Sequence, residues 1–307
     1  MVEKISYRGW KNAYRISNGT VQLTILADVG PRIIAYGFLE GENILHEVAA
    51  DAGLSGGSEF RLYGGHRLWV SPELERTYFP DNRPLWMSQH GNAVCFTAPV
   101  EDSVPGTNLQ KELEVTVDES GSTVKLMHRI INRDSRPTEL SPWTPTMMKV
   151  GGRAILPLPP RSAMDKDHYL PVGPLTLWSF TDLADPRWRF GTEYIQLVQQ
   201  ATPNCRFQEQ MVGIFNPAGW GAYFSGNTLF VKRSKAIPGA MYPDFGCNFE
   251  IFTNFDFLEV ETLGPKILLK PGEHTTHEEN WHLFRNVAAG EDESWIRSVI
   301  LPLVAAQ

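Results

Sequence analysis

Cysteine is scarce in this sequence: the chain has three, Cys95, Cys205 and Cys247, and they lie far apart. An odd and scattered set of thiols is not typical of a disulfide framework or of a zinc site, and it fits a reducing compartment best. Long apolar runs are missing as well, since no stretch approaches the roughly 20 apolar residues of a membrane span and the N-terminus has no secretory signal. We therefore expect a cytoplasmic protein, or a periplasmic or secreted one if a signal peptide has been removed.

Clustered positive charge is also lacking. Lys and Arg number 28 against 35 Asp and Glu, which gives a net charge of -7, and the basic residues form no long run. Nucleic acids and anionic membranes both bind clustered Lys and Arg, so neither is expected as a partner. The sequence also has no phosphate-binding loop, no dinucleotide fingerprint and no tight Cys/His cluster, so we predict no cofactor and no metal site. A calcium ion among surface carboxylates is the alternative that the sequence leaves open.

Turn-forming and aromatic residues, by contrast, are plentiful. The 307 residues include 26 Gly, 22 Pro and 11% aromatic side chains, as short strands joined by many turns require. Apolar and polar residues alternate along most of the chain, and Asn18-Gly19 is a strong hairpin signal. We therefore predict an all-β antiparallel sandwich, in one domain over residues 1–307, because no break in composition marks a boundary.

Three local patterns refine this prediction. Residues 110–117 and 123–131 should form a long hairpin. Pro142 and Pro145 cannot donate to a ladder, so the strand that contains them should be interrupted or lie at an edge. Only the C-terminus has a helical period: acidic residues open the segment 290–300, apolar residues recur four apart, and Pro302 should end the helix.

The most informative stretch runs from Asn248 to Pro265, which reads as two strands and a tight turn. Successive side chains of a strand point to opposite sides, so two sets are expected: Leu258, Val260 and Thr262 on one face, and Glu259, Glu261 and Leu263 on the other. Two carboxylates on one face lie roughly 7 Å apart and repel one another unless water, a cation or a hydroxyl-rich ligand lies between them. Glu250 alternates in the same way, together with Asn248 and Phe252, so a paired strand would add a third carboxylate. The pattern indicates a polar binding face or, alternatively, a charged face that only keeps the protein soluble.

A glycine-rich loop is the second candidate for chemistry. Residues 55–73 contain two Gly-Gly pairs, and the second pair precedes His66, Arg67, Trp69 and Glu73 within a few residues. Glycine lets the backbone approach a ligand closely, His, Arg and Glu offer proton transfer and charged hydrogen bonds, and Trp offers a flat apolar face. The combination suits a sugar site. The alternative is a structured loop in which Arg67 pairs with Glu73 and Trp69 packs inward.

The order of these segments resembles the galactose mutarotase-like superfamily, which includes the aldose 1-epimerases. The similarity covers nearly the whole chain in short motifs: residues 18–36 before the Gly-Gly loop, then Phe257-Leu-Glu-Val-Glu-Thr-Leu-Gly-Pro265, Leu269-Lys-Pro-Gly-Glu273 and Trp281-His-Leu-Phe284. It is nearest to bacterial branches of that superfamily. The resemblance implies a β-supersandwich with a sugar-binding groove on its concave face.

The resemblance also implies roles for residues. In aldose 1-epimerases a late-strand Glu is the base toward the anomeric hydroxyl, and Glu261 falls at that position. The acid is a His on a central strand, but the comparable segment 141–146 contains none, so we expect His66 to supply the acid from another loop. The remaining expected sugar contacts are hydroxyl-binding or stacking side chains: Arg67, Trp69, Glu73, Trp143, Asn248, Glu250 and Glu259.

The sequence leaves several functions open. The leading hypothesis is a protein that acts on a mono- or oligosaccharide at or near an anomeric centre, as an epimerase does. The same acid and base would also serve glycoside hydrolysis or elimination from a uronic acid. A non-catalytic sugar-binding module is the second hypothesis, because recognition needs only the groove, and a structural β protein with a solvated acidic face is the third.

Overall fold

The computed structural model describes residues 1–102, 108–201 and 206–307. Within these ranges the chain forms two large antiparallel sheets, of twelve and ten strands, whose apolar faces pack against each other. The predicted all-β sandwich is confirmed. Strands are numbered below in chain order.

The twelve-stranded sheet runs in the spatial order β1 (Val2–Tyr7), β2 (Trp10–Ser17), β3 (Val21–Leu26), β4 (Arg32–Phe38), β5 (His66–Arg67), β11 (Thr138–Met148), β20 (Leu258–Leu263), β19 (Phe249–Thr253), β16 (Gln210–Ile214) and β13 (Leu175–Leu177). Two short strands, β6 (Trp69–Ser71) and β21 (Ile267–Leu269), pair with β11 beside this order. Short 3-10 turns lie at Ala49–Asp51 and Glu75–Tyr78.

The ten-stranded sheet runs in the spatial order β14 (Trp188–Phe190), β15 (Tyr194–Val198), β12 (Arg153–Pro157), β17 (Trp220–Ser225), β18 (Thr228–Arg233), β22 (His274–Phe284), β10 (Val124–Asn132), β9 (Leu109–Val117), β8 (Ala93–Thr97) and β7 (Trp86–His90). The predicted hairpin is present, since β9 and β10 pair from Leu109 opposite Asn132 to Val117 opposite Val124. The first predicted hairpin is present too, with Gly19 at φ +87° in the turn between β2 and β3.

The main core lies between the sheets. Alternate residues of each strand point inward, and large apolar side chains such as Ile25, Val260, Phe230 and Trp281 are fully buried there. Burial of apolar surface contributes about 25 cal/mol per Å², so this layer is the main source of stability. It also leaves the outer face of each sheet free for other residues.

The two prolines of β11 do not act as the sequence suggests. β11 is an unbroken central strand of eleven residues, not an edge strand. On one side β21 pairs with residues 138–140 and β20 with 143–148, so Pro142 lies in the gap between them. On the other side β6 pairs with 141–143 and β5 with 146, so Pro145 lies in that gap. The partner strands are interrupted where β11 lacks an N–H donor, and the prediction of an interrupted or edge strand is wrong for that reason.

The C-terminal helix is longer than predicted. It begins with α1 (Glu293–Trp295), capped by the Asp292 side chain, continues as a π-helical turn (Ile296–Ile300) and ends with α2 (Leu301–Ala305). Pro302 therefore lies inside the helix. A π turn widens the backbone just before the proline, at the place where the missing N–H and the ring would otherwise disturb a regular helix. The apolar side chains that recur along it pack on the outer face of the ten-stranded sheet.

Two of the three cysteines lie in the described part of the chain. Cys95 and Cys247 are free thiols, and Cys205 lies outside the described residues. Across the three described ranges, none of the helices has the length and apolarity needed to cross a bilayer.

The second Gly-Gly pair, Gly64-Gly65, serves chain packing. Both residues have positive φ, and a Cβ atom at Gly65 would overlap the carbonyl oxygen of Ile33 on β4. At Gly64 a Cβ atom would overlap the carbonyl oxygen of His46. Glycine here thus lets the loop press against neighbouring backbone and fixes the direction in which β5 leaves it.

We expect Gly65→Ala to lower the free energy of unfolding by about 1–3 kcal/mol more than Gly91→Ala. Both glycines have positive φ, so both substitutions carry the left-handed backbone cost of about 1–2 kcal/mol, but Gly91 has open space around it. Denaturant unfolding of the two variants measures the difference. Equal losses would show that the loop shifts without cost.

Candidate functional site

The acidic residues of β20 lie on the outer face of the twelve-stranded sheet. Leu258 and Val260 are fully buried between the sheets, so the intervening Glu259 and Glu261 point the opposite way. This is the alternation predicted from the sequence. Both glutamates are nevertheless covered: Glu259 is 7% exposed and Glu261 only 1%.

A third carboxylate stands directly beside Glu261. In the antiparallel register of β19 and β20, Glu250 is opposite Glu261, and it is 1% exposed. Side chains of directly opposite residues share a face, with Cβ atoms about 4.5–5.5 Å apart. Two buried carboxyl groups are therefore close neighbours.

Two tryptophans and an arginine border these carboxylates. Nε1 of Trp143 on β11 donates a 2.5 Å hydrogen bond to Oε2 of Glu261. The Trp143 ring meets the Trp69 ring at 5.0 Å between centroids, and the Arg67 guanidinium lies 3.7 Å from the Trp69 centroid. Nη2 of Arg67 donates to Oε1 of Glu259 at 3.2 Å. We call the following six residues the outer-face cluster: Arg67, Trp69, Trp143, Glu250, Glu259 and Glu261.

The outer-face cluster contains buried polar atoms that lack partners. Among the described residues, Oε1 of Glu250 and both Nε and Nη1 of Arg67 are buried and make no hydrogen bond. A buried polar group without a partner costs about 1–3 kcal/mol, more if it is charged, so native proteins rarely keep one without reason. Here acceptors and donors are left over on the same face.

Burial changes the acidity of the three carboxyls. Desolvation is the first cause that raises the pKa of Glu250 and of Glu261 well above the usual range, and like charge adds to it, from Glu261 on Glu250 and from Glu259 on Glu261. The Trp143 hydrogen bond opposes the rise at Glu261. Burial also raises the pKa of Glu259, against the lowering effect of Arg67. These carboxyls therefore tend to hold protons nearer to neutral pH than an exposed glutamate does.

Two loops form the rim of this face. Glu73 is exposed and accepts a hydrogen bond from the hydroxyl of Tyr78, whose ring contacts Trp69 at 5.3 Å. Arg67 is thus paired with Glu259 and not with Glu73, so that part of the alternative loop interpretation is wrong. On the other side Asp244, at φ +49°, accepts a 3.3 Å hydrogen bond from Ser71, and burial raises its pKa.

His66 lies on the opposite face from the outer-face cluster. On β5, His66 and Arg67 are consecutive, so their side chains point to opposite sides of the sheet. The His66 ring is fully buried between the sheets, 4.8 Å from the Trp281 ring. A ligand in contact with Glu261 is therefore separated from His66 by the sheet itself, and the structure does not bring the expected acid and base together.

His66 instead belongs to a buried polar network that joins the two sheets. We call it the inter-sheet network, and its members are His66, His128, Thr144, Thr146, Lys232, Thr262, His277 and Glu279. At its centre Glu279 accepts hydrogen bonds from Thr262 at 2.5 Å and from Trp281 at 2.8 Å, and its Oε1 lies 3.0 Å from Nζ of Lys232. Desolvation alone would raise the pKa of Glu279, but the Lys232 ammonium counteracts it and holds that pKa well below its usual range.

Hydrogen-bond partners fix the proton positions in this network. Nδ1 of His128 must donate, because its partner is the carbonyl of His277 at 3.0 Å. The neutral ring then accepts at Nε2 from Nε2 of His66, 2.7 Å away, and His66 accepts at Nδ1 from the Thr146 hydroxyl at 2.9 Å. Thr146 in turn accepts from Lys232 at 2.8 Å. All donors along this path find acceptors with neutral imidazoles, in agreement with the burial that lowers the pKa of both His66 and His128.

The same residues provide the one group of metal-ligand atoms found within the described ranges. The ligand atoms of His66, His128 and Glu279 lie within 4.8 Å of one another. Two nitrogens on a tetrahedral zinc with Zn–N bonds of about 2.0–2.1 Å stand about 3.3 Å apart. The 2.7 Å between the two Nε2 atoms is a hydrogen-bond distance and does not fit such a site.

Asn248 is also not available to a ligand. Its Oδ1 accepts from the backbone N–H of Asn216 at 2.6 Å, and its Nδ2 donates to the carbonyl of the same residue at 3.0 Å. Both ends of the amide thus hold the Asn216 loop against the start of β19. The strand alternation alone gave no signal of this structural use.

Access to the outer-face cluster requires movement of the rim. A cleft of about 650 Å³ lies away from this cluster, around residues 37–44 and 225–228. Phe60 and Tyr78 both pack against the Trp69 ring and cover it. A ligand therefore reaches Glu261 only when such covering side chains are displaced.

The fold is that of the galactose mutarotase-like proteins, as the resemblance implies. A candidate aldose 1-epimerase from Klebsiella pneumoniae superposes with a TM-score of 0.62 at 11% identity, over 99% of this chain and 87% of the other. A candidate aldose 1-epimerase from Escherichia coli K12 gives 0.56 at 14% identity over 89% and 99%, and a galactose mutarotase-like protein from Lactobacillus casei gives 0.54 at 11% over 89% and 100%. No protein-family model matches the sequence, and no curated protein is significantly similar to it. At these identities the likeness concerns the fold.

Proposed function

We propose that the protein binds a sugar at the outer-face cluster and acts on its anomeric centre, with Glu261 as the general base. The fold relatives whose names refer to aldose 1-epimerases and mutarotases support a carbohydrate ligand. In this proposal Glu261 takes the proton of the anomeric hydroxyl, Arg67 and Glu259 bind hydroxyls, and Trp143 positions the base.

The observation that carries the proposal is the set of buried, unpartnered atoms of Glu250 and Arg67 beside two tryptophans. A sugar hydroxyl both donates and accepts, so one ligand can satisfy a leftover carboxylate oxygen and leftover guanidinium N–H groups together. The apolar face of a sugar ring also suits an aromatic surface. Such a ligand supplies the partners that the protein itself does not give to these atoms.

The charge of the site favours a neutral sugar. The Glu250 carboxyl has three other carboxyl groups as electrostatic neighbours, those of Glu261, Asp244 and Glu73, and Glu259 lies beside Glu261 on the same strand face. A uronic acid or a sugar phosphate would add negative charge to this buried acidic face. We therefore infer that neutral aldoses or their oligomers are the ligands, in preference to anionic sugars.

A non-catalytic sugar-binding protein is the second candidate. The position of His66 between the sheets favours it, because the acid expected from the sequence is missing from the binding face. Both candidates predict saturation transfer from the protein to a sugar. Only the first predicts faster exchange between the anomers of that sugar.

We expect Glu261→Gln to slow anomer exchange by about 10²–10⁴-fold, the usual contribution of a general base. Proton NMR on a panel of neutral aldoses, uronic acids and oligosaccharides measures exchange and saturation transfer in the same samples. Glu278→Gln, an exposed substitution on β22, is the matched control and should leave both readouts unchanged.

The possible results separate the candidates. If anomer exchange slows in Glu261→Gln while saturation transfer persists, the result supports Glu261 as the general base. Exchange that continues at the parental rate places the base elsewhere. Saturation transfer without exchange in the parent protein favours the binding module, and a panel that gives neither refutes a sugar site.

A further inference from the structure

The two facing carboxyls, Glu250 and Glu261, differ in their surroundings. Glu261 accepts the Trp143 N–H at 2.5 Å, and an indole N–H can only donate. That bond stabilises a charged Glu261. Glu250 has no such donor among the described residues, and its Oε1 is buried without a partner. A proton that the pair holds is therefore favoured on Glu250.

The neighbours of Glu250 act in the same direction. The groups that face it are acidic: Glu261 across the strand pair, with Asp244 and Glu73 toward the rim. The Cys247 thiol lies nearby, and burial raises its pKa to about 12, so it adds no charge near neutral pH. On the other side β16 places Gly213 opposite Glu250, where a Cβ atom would lie 3.1 Å from the Glu250 side chain. The glycine leaves the Glu250 carboxyl room to reach a ligand.

We propose that Glu250 is the general acid of the site and carries the proton that His66 cannot deliver. This inference rests on the proposed function. The geometry behind it is the direct cross-strand pairing of Glu250 with Glu261 on the outer face, while His66 lies on the inner face.

The proton transfers balance without any further reactant. Glu261 removes the proton of the anomeric hydroxyl while Glu250 donates its proton to the ring oxygen, the bond between that oxygen and the anomeric carbon breaks, and an open-chain aldehyde forms. After rotation of the aldehyde, Glu250 takes the proton back from the hydroxyl as its oxygen attacks the other face of the carbonyl. Glu261 returns its proton to the new anomeric oxygen, and both carboxyls recover their first state.

The location of the proton is tested without any sugar. We expect the infrared difference spectrum of parent minus Glu250→Gln at pH 7 to contain the band of a protonated carboxyl. The corresponding spectrum of parent minus Glu278→Gln should lack that band. An ionised Glu250 at pH 7 would overturn the proposal, whatever the protein does with sugars.

A stability measurement gives a second readout. Because its folded pKa is raised, Glu250 contributes stability below its unfolded value near 4.5, and this contribution is lost as the pH rises. We therefore compare the unfolding equilibrium constant of Glu250→Gln with that of the parent. The ratio of variant to parent should fall about tenfold for each pH unit above 4.5, until Glu250 itself ionises in the folded parent. A ratio that does not change with pH would contradict a proton on Glu250.

The acid role is tested with the sugar that gives exchange in the parent. We expect Glu250→Gln to slow exchange about 10²–10⁴-fold and to keep saturation transfer, since the amide still fits the position. A protonated Glu250 whose substitution leaves exchange unchanged refutes the acid role alone and leaves Glu261 as the base. Binding without exchange in the parent refutes the catalytic function itself, while the spectra still report the proton.

Discussion

Lys232→Met should lower the free energy of unfolding by about 3–5 kcal/mol, the usual cost of removing one partner from a buried ion pair. Nζ of Lys232 lies 3.0 Å from Oε1 of Glu279, both side chains are fully buried, and the ammonium also donates to the carbonyl of Thr144 at 2.6 Å. Without Lys232 the Glu279 charge stays in the core with only neutral donors. Because Lys232 belongs to one sheet and Thr144 to the other, the loss loosens the contact between the sheets. Equilibrium unfolding in urea at pH 7 measures it.

Three further variants, Lys235→Met, Glu279→Gln and the double variant, show whether the loss comes from the charge. Lys235→Met changes an exposed lysine three residues away and should cost less than about 0.5 kcal/mol. The double variant Lys232→Met with Glu279→Gln removes both charges and should be more stable than Lys232→Met alone. If the double variant loses the sum of the two single effects, the ion pair does not account for the stability.

The effect of His277→Gln on the free energy of unfolding should change from destabilising to stabilising as the pH falls. Burial, with a further contribution from His128 and Lys232 against Glu279, lowers the pKa of His277 to about 3, and its Nε2 lies 2.7 Å from the Thr262 hydroxyl. The pKa of this histidine in the unfolded chain is near 6.5. Below that pH the unfolded chain binds a proton at His277 that the folded chain does not bind. The parent therefore loses about 1.4 kcal/mol per pH unit from this residue as the pH falls toward 3.

Glutamine cannot bind that proton. We expect His277→Gln to be about 1–2 kcal/mol less stable than the parent at pH 7.5, because the hydrogen bond to Thr262 is disturbed. Between pH 7.5 and pH 4.5 the stability of the variant relative to the parent should rise by about 3 kcal/mol. At pH 4.5 the variant should therefore be the more stable of the two. Urea unfolding at several pH values measures both effects. His274→Gln, at an exposed position of the same strand, is the control, and a parallel pH dependence of His277→Gln and parent would contradict a neutral buried ring.

Strand alternation was sufficient to predict the acidic part of the site. The sequence from Leu258 to Leu263 assigns each side chain to a face, and the assignment holds because one face must be apolar to pack against the other sheet. The third carboxylate followed from the same rule once β19 was paired with β20. These are local patterns with a fixed period of two, which a single sequence contains.

Other parts of the site depend on which strands meet. β5 has only two residues, so alternation shows that His66 and Arg67 point apart but not which of them faces Glu261. Phe230 and Lys232 share one face of β18, and a lysine at a core position was the available signal for a buried charge. Its partner Glu279 comes from β22, next to β18 in the sheet but more than forty residues later in the chain. The sequence does not encode that pairing in any local pattern.

The pairing of β11 affects the protein while it is still being synthesised. One side of β11 is covered by β5 and β6, which precede it, but the other side is covered by β20 and β21, which end at residue 269. A ribosome completes β11 long before it delivers those strands, so the nascent chain presents an open strand edge for more than a hundred residues of translation. Open edges recruit other chains, and on this open side Pro142 deprives such a partner of one donor. The proline that fits the gap between β20 and β21 in the finished sheet thus also limits pairing at the open edge of the unfinished one.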